Sequence, residues 1–178
     1  MLEEQGALIL DCDAIYHDLL LTSDELLGEI SSAFPGTAAN GTLDRRALAA
    51  KVFADDEALQ CLNQITHRYV CDQVIKLLRR HAMRGGTLAA IDAVELISSG
   101  LSERCTTTLA ILADAEKRAA RIMARDHIAL EAAMARIRAQ RSDDYYQENC
   151  EHTLWNNADQ QQFEQDCRQL FKEILNHG

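Results

Sequence analysis

Three short apolar runs constrain this chain more than anything else in it. Gly6 to Asp11, Thr87 to Asp92 and Thr107 to Asp114 are almost unbroken in Ala, Leu and Ile, and each closes on an aspartate. Continuous apolarity without period-two alternation is the pattern of strands covered on both faces. Between the runs lie helical stripes, such as Leu59, Leu62, Ile65, Val70, Val74, Leu77 and Leu78, spaced by threes and fours. Strands alternating with helices make an open α/β fold around a parallel sheet. Ligands gather at the carboxyl ends of the strands in such sheets, where the three aspartates stand. An aspartate after a strand also caps the following helix, so each has two readings.

The stretch Ser23 to Lys51 reads as a helical insertion with turns at Phe34-Pro35-Gly36 and Asn40-Gly41, and a third turn at Gly85-Gly86 feeds the second strand. Asp159 to Asn176 carries Phe163, Cys167, Leu170, Phe171 and Ile174 at helical spacing, with Gln160-Gln161-Gln162 as its solvated start. A length of 178 residues makes one domain the default, and 47% hydrophobic with 26% charged residues excludes a disordered or collagen-like chain. No apolar run approaches the roughly 18 residues of a membrane span. The acidic start Met1-Leu2-Glu3-Glu4 is unlike a secretory signal, so a cytoplasmic protein is expected. The six cysteines show no metal-ligand spacing and read as reduced, mostly buried side chains.

A formal charge of −10 excludes general binding to nucleic acid or an anionic membrane, so any anion site must be local. Such a site is visible between Ala115 and Arg141. That window holds Lys117, Arg118, Arg121, Arg125, Arg136, Arg138 and Arg141 and carries +4, while the rest of the chain carries −14. Arg118, Arg121 and Arg125 are three and four apart, so a helix projects three guanidinium forks from one face, a match for a polyphosphate. A solvated helix laced with ion pairs has the same composition. After Asp126 a second helical pattern runs to about Gln140, and helix, break, helix with facing arginines suits a lid over phosphates. At the other end of the chemistry stands Asp11-Cys12-Asp13 after the first strand: one carboxylate can hold Mg²⁺ while the other accepts a proton from an attacking hydroxyl.

Asp11-Cys12-Asp13-Ala14-Ile15-Tyr16-His17, Gly41 to Leu48, Val52-Phe53, Leu62 to His67, Arg121 to Asp126, Arg138-Ala139-Gln140 and Asn156-Asn157 follow one another in an order and spacing that resembles the dephospho-CoA kinase family, from Gly6 to Asn157. The resemblance implies a P-loop kinase-like α/β core with a helical substrate-binding insertion and a helical lid. It implies transfer of the ATP γ-phosphoryl group to the ribose 3′-hydroxyl of dephospho-CoA, with Mg²⁺, giving coenzyme A. Residues 1–22, 86–115 and 150–178 would form the core, 23–85 the helical CoA-binding part and 116–149 the lid. Asp11 would activate the hydroxyl beside Asp13, a substrate-side and metal-binding carboxylate. Tyr16, His17, Arg45 and His67 would hold dephospho-CoA. Arg121 and Arg125 would act in catalysis as lid arginines and, with Arg118 and Asn157, bind the nucleotide. By itself, His67 would read as a helix-packing histidine.

The sequence departs from the family in one major respect. None of Lys51, Lys76, Lys117 and Lys172 follows a glycine, so no Gly-x-x-x-x-Gly-Lys-Ser/Thr phosphate loop is present. The resemblance implies that the amino-terminal strand, this Walker A loop and most of a helix, about 25 residues, are missing ahead of Leu2. Loss of an internal strand would expose sheet edges, lower stability, permit self-association through an edge, and leave this chain without transfer activity alone. The alternatives are a non-catalytic relative that binds a CoA-type ligand or a partner protein, a different nucleotide kinase of related architecture, and an unrelated α/β protein. Smaller departures are Arg68 in place of a common Pro, Ser98 in place of an acidic residue, and Ala158 in place of Gly.

Overall fold

A computed structural model of the chain describes residues 1–39, 42–52 and 55–177, which divide into two units, Met1–Leu101 and Ser102–Gly178. The expected turn at Asn40-Gly41 and Phe53 of the Val52-Phe53 pair lie outside the described residues.

In the first unit β1 (Leu8–Asp11) leads directly into α1 (Cys12–Thr22) and α2 (Asp24–Ala33). A hairpin of two-residue strands, β2 (Ala38–Ala39) and β3 (Thr42–Leu43), interrupts the insertion that the sequence predicts to be helical, and α3 (Arg45–Val52) follows. Helix α4 (Asp56–Met83) runs for 28 residues, about 42 Å at 1.5 Å per residue, before β4 (Ala89–Asp92) returns parallel to β1. The polar residues between these elements are helix caps. Ser23 Oγ accepts from Leu26 N at 3.2 Å, Asp44 Oδ1 from Ala47 N at 2.9 Å, and Asp55 Oδ1 from Glu57 N at 2.9 Å.

Helices α1, α2 and α3 all pack along α4, which is the spine of the unit. One cluster joins Leu20, Leu26, Leu27, Ile30, Phe34, Leu48, Val52 and Ile65. The other seats Leu10 of β1 against Val70 and Val74 of α4 and against Leu101. Ile65, Val70 and Val74, the buried residues of the predicted stripe, supply α4's side of both clusters.

The second unit pairs β5 (Leu109–Leu112) in parallel with β6 (His152–Trp155) and carries α5 (Ala115–Asp126), α6 (Leu130–Arg138), α7 (Asp143–Asn149) and α8 (Gln160–His177). The sequence predicts strands covered on both faces. The structure packs one face only, because each described parallel sheet has two strands: Leu10 and Leu112 are buried, whereas Ile9 and Ile111, one residue along and on the opposite face of the pleat, are exposed. Among the described residues no helix is long and apolar enough to cross a membrane.

The Gly85-Gly86 turn closes α4. Gly85 has φ +84°, which a glycine adopts without strain, and Gly86 N donates to His81 O at 3.0 Å. His81 Nε2 then donates to Leu88 O at 2.9 Å, tying the helix end to the entry of β4. A Cβ on Gly86 would land on the His81 imidazole. Gly86→Ala is therefore expected to displace that ring and lower the unfolding free energy by about 1–3 kcal/mol in urea denaturation. Gly28→Ala, inside α2 where a Cβ meets nothing, should raise it by up to about 1 kcal/mol. A Gly86→Ala chain as stable as its parent would contradict the packing described.

Candidate active site

Asp11 is the last residue of β1 and the cap of α1, its Oδ1 accepting from Ala14 N at 2.9 Å. The capping reading of this aspartate holds: its carboxylate is fixed at the carboxyl end of a parallel strand, and among the described residues Oδ2 accepts no hydrogen bond. The parallel register sets Asp92 of β4 directly opposite Asp11. Asp13 follows in the first turn of α1, exposed and accepting no hydrogen bond among the described residues.

Because α1 starts at Cys12, Asp13 and Tyr16 lie one turn apart on the helix and share a side of it. They line a cavity of about 150 Å³ together with Cys12, Thr66 and His67 of α4, and Ser99. The structure thereby brings His67 to Asp13 and Tyr16, the grouping that the ordered motifs imply. Next along α1, His17 Nδ1 lies 3.0 Å from Arg45 NH2 of α3. Since a guanidinium only donates, the ring nitrogen accepts there. Arg45 is held at the start of α3 by the Asp44 cap, whose Oδ1 also accepts from Arg46 N at 3.0 Å. Burial pushes the Tyr16 hydroxyl up, with Arg45 pulling the other way. Burial also pushes the Cys12 thiol up to about 11, assisted by Cys71, Asp13, Asp11 and Asp92. Cys12 is accordingly a protonated wall of the cavity and no nucleophile at neutral pH.

In the second unit the three arginines do share α5, and each has a protein partner. Arg118 NH2 lies 3.1 Å from Asp143 Oδ1 and 3.3 Å from Oδ2, with hydrogen-bond geometry to Oδ2 only, and among the described residues Arg118 Nε and Asp143 Oδ1 have no hydrogen-bond partner. Arg121 NH2 donates to Asn156 O and Oδ1 at 2.9 and 3.0 Å. Arg125 grips Asp126 with Nε and NH2, at 2.7 and 3.1 Å, and Arg136 of α6 bonds the same carboxylate. The two guanidinium groups hold the Asp126 carboxyl down at about 2, the Arg125 hydrogen bond contributing most. Asn157 is locked to Asp114: its Oδ1 accepts from Asp114 N and its Nδ2 donates to Asp114 Oδ1, each at 2.9 Å. Lys117 Nζ also donates to Asn157 O.

Asp92, Asp126 and Arg136 take part in these arrangements without having been singled out in the sequence. Asp92 carried a signal, as a strand-end aspartate. Asp126 and Arg136 sat inside the basic window, but their partnership depends on how α5 and α6 pack. Of the departures, Arg68 sits within an unbroken α4, pairs with Glu29 of α2 and stacks over Tyr69 at 5.1 Å. Ser98 bonds Glu95. No structural reason emerges for Ala158.

The family model described as dephospho-CoA kinase matches residues 1–162. The chain is similar to a dephospho-CoA kinase of Corynebacterium glutamicum, 27% identical over 177 residues, 98% of this chain and 88% of that one. It is similar to a dephospho-CoA kinase of Deinococcus radiodurans, 35% identical over 144 residues, 81% of this chain and 69% of that one. Among solved structures it is similar to the crystal structure of TT1252 from Thermus thermophilus, with a TM-score of 0.77 and 29% identity, covering 97% of this chain and 87% of that one.

Two measurements check these environments. Under native labelling with a maleimide at pH 7, exposed Cys61 should react first while buried Cys12 and Cys167 stay protected until urea is added. Fast native labelling of Cys12 would contradict its placement. For Asp126 the folded carboxyl lies below its unfolded value near 3.9, so its contribution to stability is complete above about pH 4 and is lost as pH falls through about 2. Wild type should therefore melt above Asp126→Asn at pH 6, with the gap closing toward pH 2. A pH-independent gap would rule this out.

Proposed function

Because this chain belongs to the dephospho-CoA kinase family, we propose that Asp11 serves as the general base for the ribose 3′-hydroxyl of dephospho-CoA, whose oxygen takes the γ-phosphoryl group of ATP. The observation that supports this reading is the cavity at the start of α1, lined by Cys12 and Asp13, the two residues that follow Asp11, where Asp13 and Tyr16 share the wall with His67 of α4. With Oδ1 spent on the α1 cap, Oδ2 accepts the hydroxyl proton as the oxygen attacks the γ-phosphorus, the bond from that phosphorus to the β,γ-bridging oxygen breaks, and ADP leaves. Tyr16 and His67 supply the walls and polar contacts for the acceptor, and Arg45, oriented by His17, binds its phosphates. In this assignment residues 23–85 make the acceptor-binding part, 116–149 the lid, and 1–22, 86–115 and 150–178 the core. Arg118, Arg121 and Arg125 of the lid, with Asn157, meet the nucleotide, and Arg121 and Arg125 offset charge on the transferring group.

Mg²⁺ bound with the nucleotide would neutralise phosphate charge. The donor chemistry fits: Mg²⁺ commonly takes one or two carboxylates plus phosphate oxygens, and Asp13 offers an exposed carboxylate that accepts no hydrogen bond among the described residues. Among the described residues no three His, Cys, Asp or Glu side chains gather into a protein-only cage. Nothing in the 178 residues matches Gly-x-x-x-x-Gly-Lys-Ser/Thr, the motif whose backbone N–H groups wrap the β- and γ-phosphates. The reading therefore assigns acceptor binding, but no turnover, to these residues acting alone.

Isothermal titration with dephospho-CoA tests it. The 178-residue chain should bind, Arg45→Ala should weaken binding about tenfold, and Asp11→Asn should leave it within about twofold because asparagine caps a helix as well as aspartate. Joined to a strand, phosphate loop and helix segment, the chain should transfer phosphate, and Asp11→Asn should then lower kcat by about 10²–10⁴-fold. Unchanged kcat would remove Asp11 from its role. Binding without transfer in the joined protein would favour the non-catalytic relative.

A further inference from the structure

The Asp126 carboxylate joins two arginines that stand eleven residues apart in the sequence and on different helices. Arg125 and Asp126 end α5, and His127 in the left-handed region at φ +54° turns the chain so that α6 packs back on α5. Arg136 of α6 thereby reaches the same carboxylate. The side chain of Asp126 is 21% exposed, against 72% for Arg125 and 54% for Arg136, so the carboxylate lies beneath and the guanidinium groups outermost.

Each guanidinium has five N–H donors arranged along edges. Arg125 spends its Nε and one NH2 hydrogen on Asp126, which leaves the edge formed by its two terminal nitrogens. Arg136 spends NH1, which leaves the edge formed by Nε and NH2. Neither remaining edge has a partner among the described residues. Each presents two parallel N–H groups, the geometry that matches two oxygens of one phosphate. Two bare guanidinium groups this close would repel one another. The carboxylate between them removes that repulsion, fixes both planes and still leaves the group at +1.

We propose that Arg125, Asp126 and Arg136 form one phosphate-chain grip, in which Arg136 contacts the phosphates alongside Arg125 and Asp126 is the positioning residue that holds the pair. The proposal rests on the lid reading above and extends it in two ways: it adds an arginine from α6, and it gives an acidic residue a favourable part in binding an anion.

That second point fixes a sign. If simple charge governed the site, removing Asp126 would tighten anion binding. If Asp126 positions the two arginines, removing it weakens binding. Titration of the 178-residue chain with inorganic tripolyphosphate at low salt separates the two. Wild type should bind, Arg136→Gln and Asp126→Ala should each bind about tenfold more weakly, and Asp126→Glu should restore most of the affinity. Arg141→Gln, which removes an equal charge from an arginine stacked on Tyr145, should change it by less than about twofold.

Should a variant fail to fold by circular dichroism, the wild-type protein gives a second readout. The Arg125 and Arg136 side-chain N–H resonances should shift together on adding tripolyphosphate. An Asp126→Ala chain that binds as tightly as wild type or tighter overturns the proposal, as does an equal loss in Arg141→Gln. Absent binding to wild type, or shifts that bypass these two arginines, overturn it as well. The dephospho-CoA titration involves the first unit alone, so its failure would count against the acceptor site and leave the grip standing.

Discussion

The proposed acceptor site depends on one aspartate being both the end of a strand and the cap of a helix. Capping by Asp11 fixes the first residue of α1, and that start decides which α1 side chains share a face. Asp13 and Tyr16 fall toward α4 and His67, while His17 falls toward Arg45 of α3. A helix beginning one residue later would rotate these groups by about 100°, at 3.6 residues per turn, and dissolve the grouping. The parallel register with β4 adds Asp92 across from Asp11, so the strand ends concentrate negative charge beside the cavity. That concentration suits a proton acceptor and a hard cation.

The rest of the anion chemistry is local for an electrostatic reason. A chain at −10 repels phosphate at long range, so binding has to come from short-range, directional donors. The second unit answers with arginines tied to fixed partners: Arg118 to Asp143, Arg121 to Asn156, and Arg125 with Arg136 to Asp126. Guanidinium groups held in place lose less side-chain freedom when a ligand arrives than groups waving in solvent.

Much of this was legible in the sequence where the signal is local. The apolar runs at Leu8–Asp11, Ala89–Asp92 and Leu109–Leu112 became strands, because a short run of Leu, Ile and Ala next to glycine or threonine turns has few other fates. The α4 stripe and the helix, break, helix of the basic window were visible through their period. Strand β6 was not, since His152-Thr153-Leu154-Trp155 is four residues of mixed polarity whose identity as a strand comes from pairing with β5. The hairpin of β2 and β3 was hidden for the same reason, two residues being too few to show alternation. Among the site residues, Asp11, Asp13, Tyr16, His17, Arg45 and His67 could be gathered only by the ordered resemblance, as the residues that meet stand far apart in the sequence. Which carboxylate each arginine meets was beyond reach, because it is set by how helices pack and by the backbone at His127.

The chemistry proposed for Asp11 requires the acceptor to sit at the start of α1. Backbone and side-chain NMR of the 178-residue chain, recorded while dephospho-CoA is added, tests that directly. The largest chemical-shift changes should gather at Asp13, Tyr16, His17, Arg45, Thr66 and His67. Changes confined to α8 or spread without focus over the surface, with these six residues silent, would contradict that position.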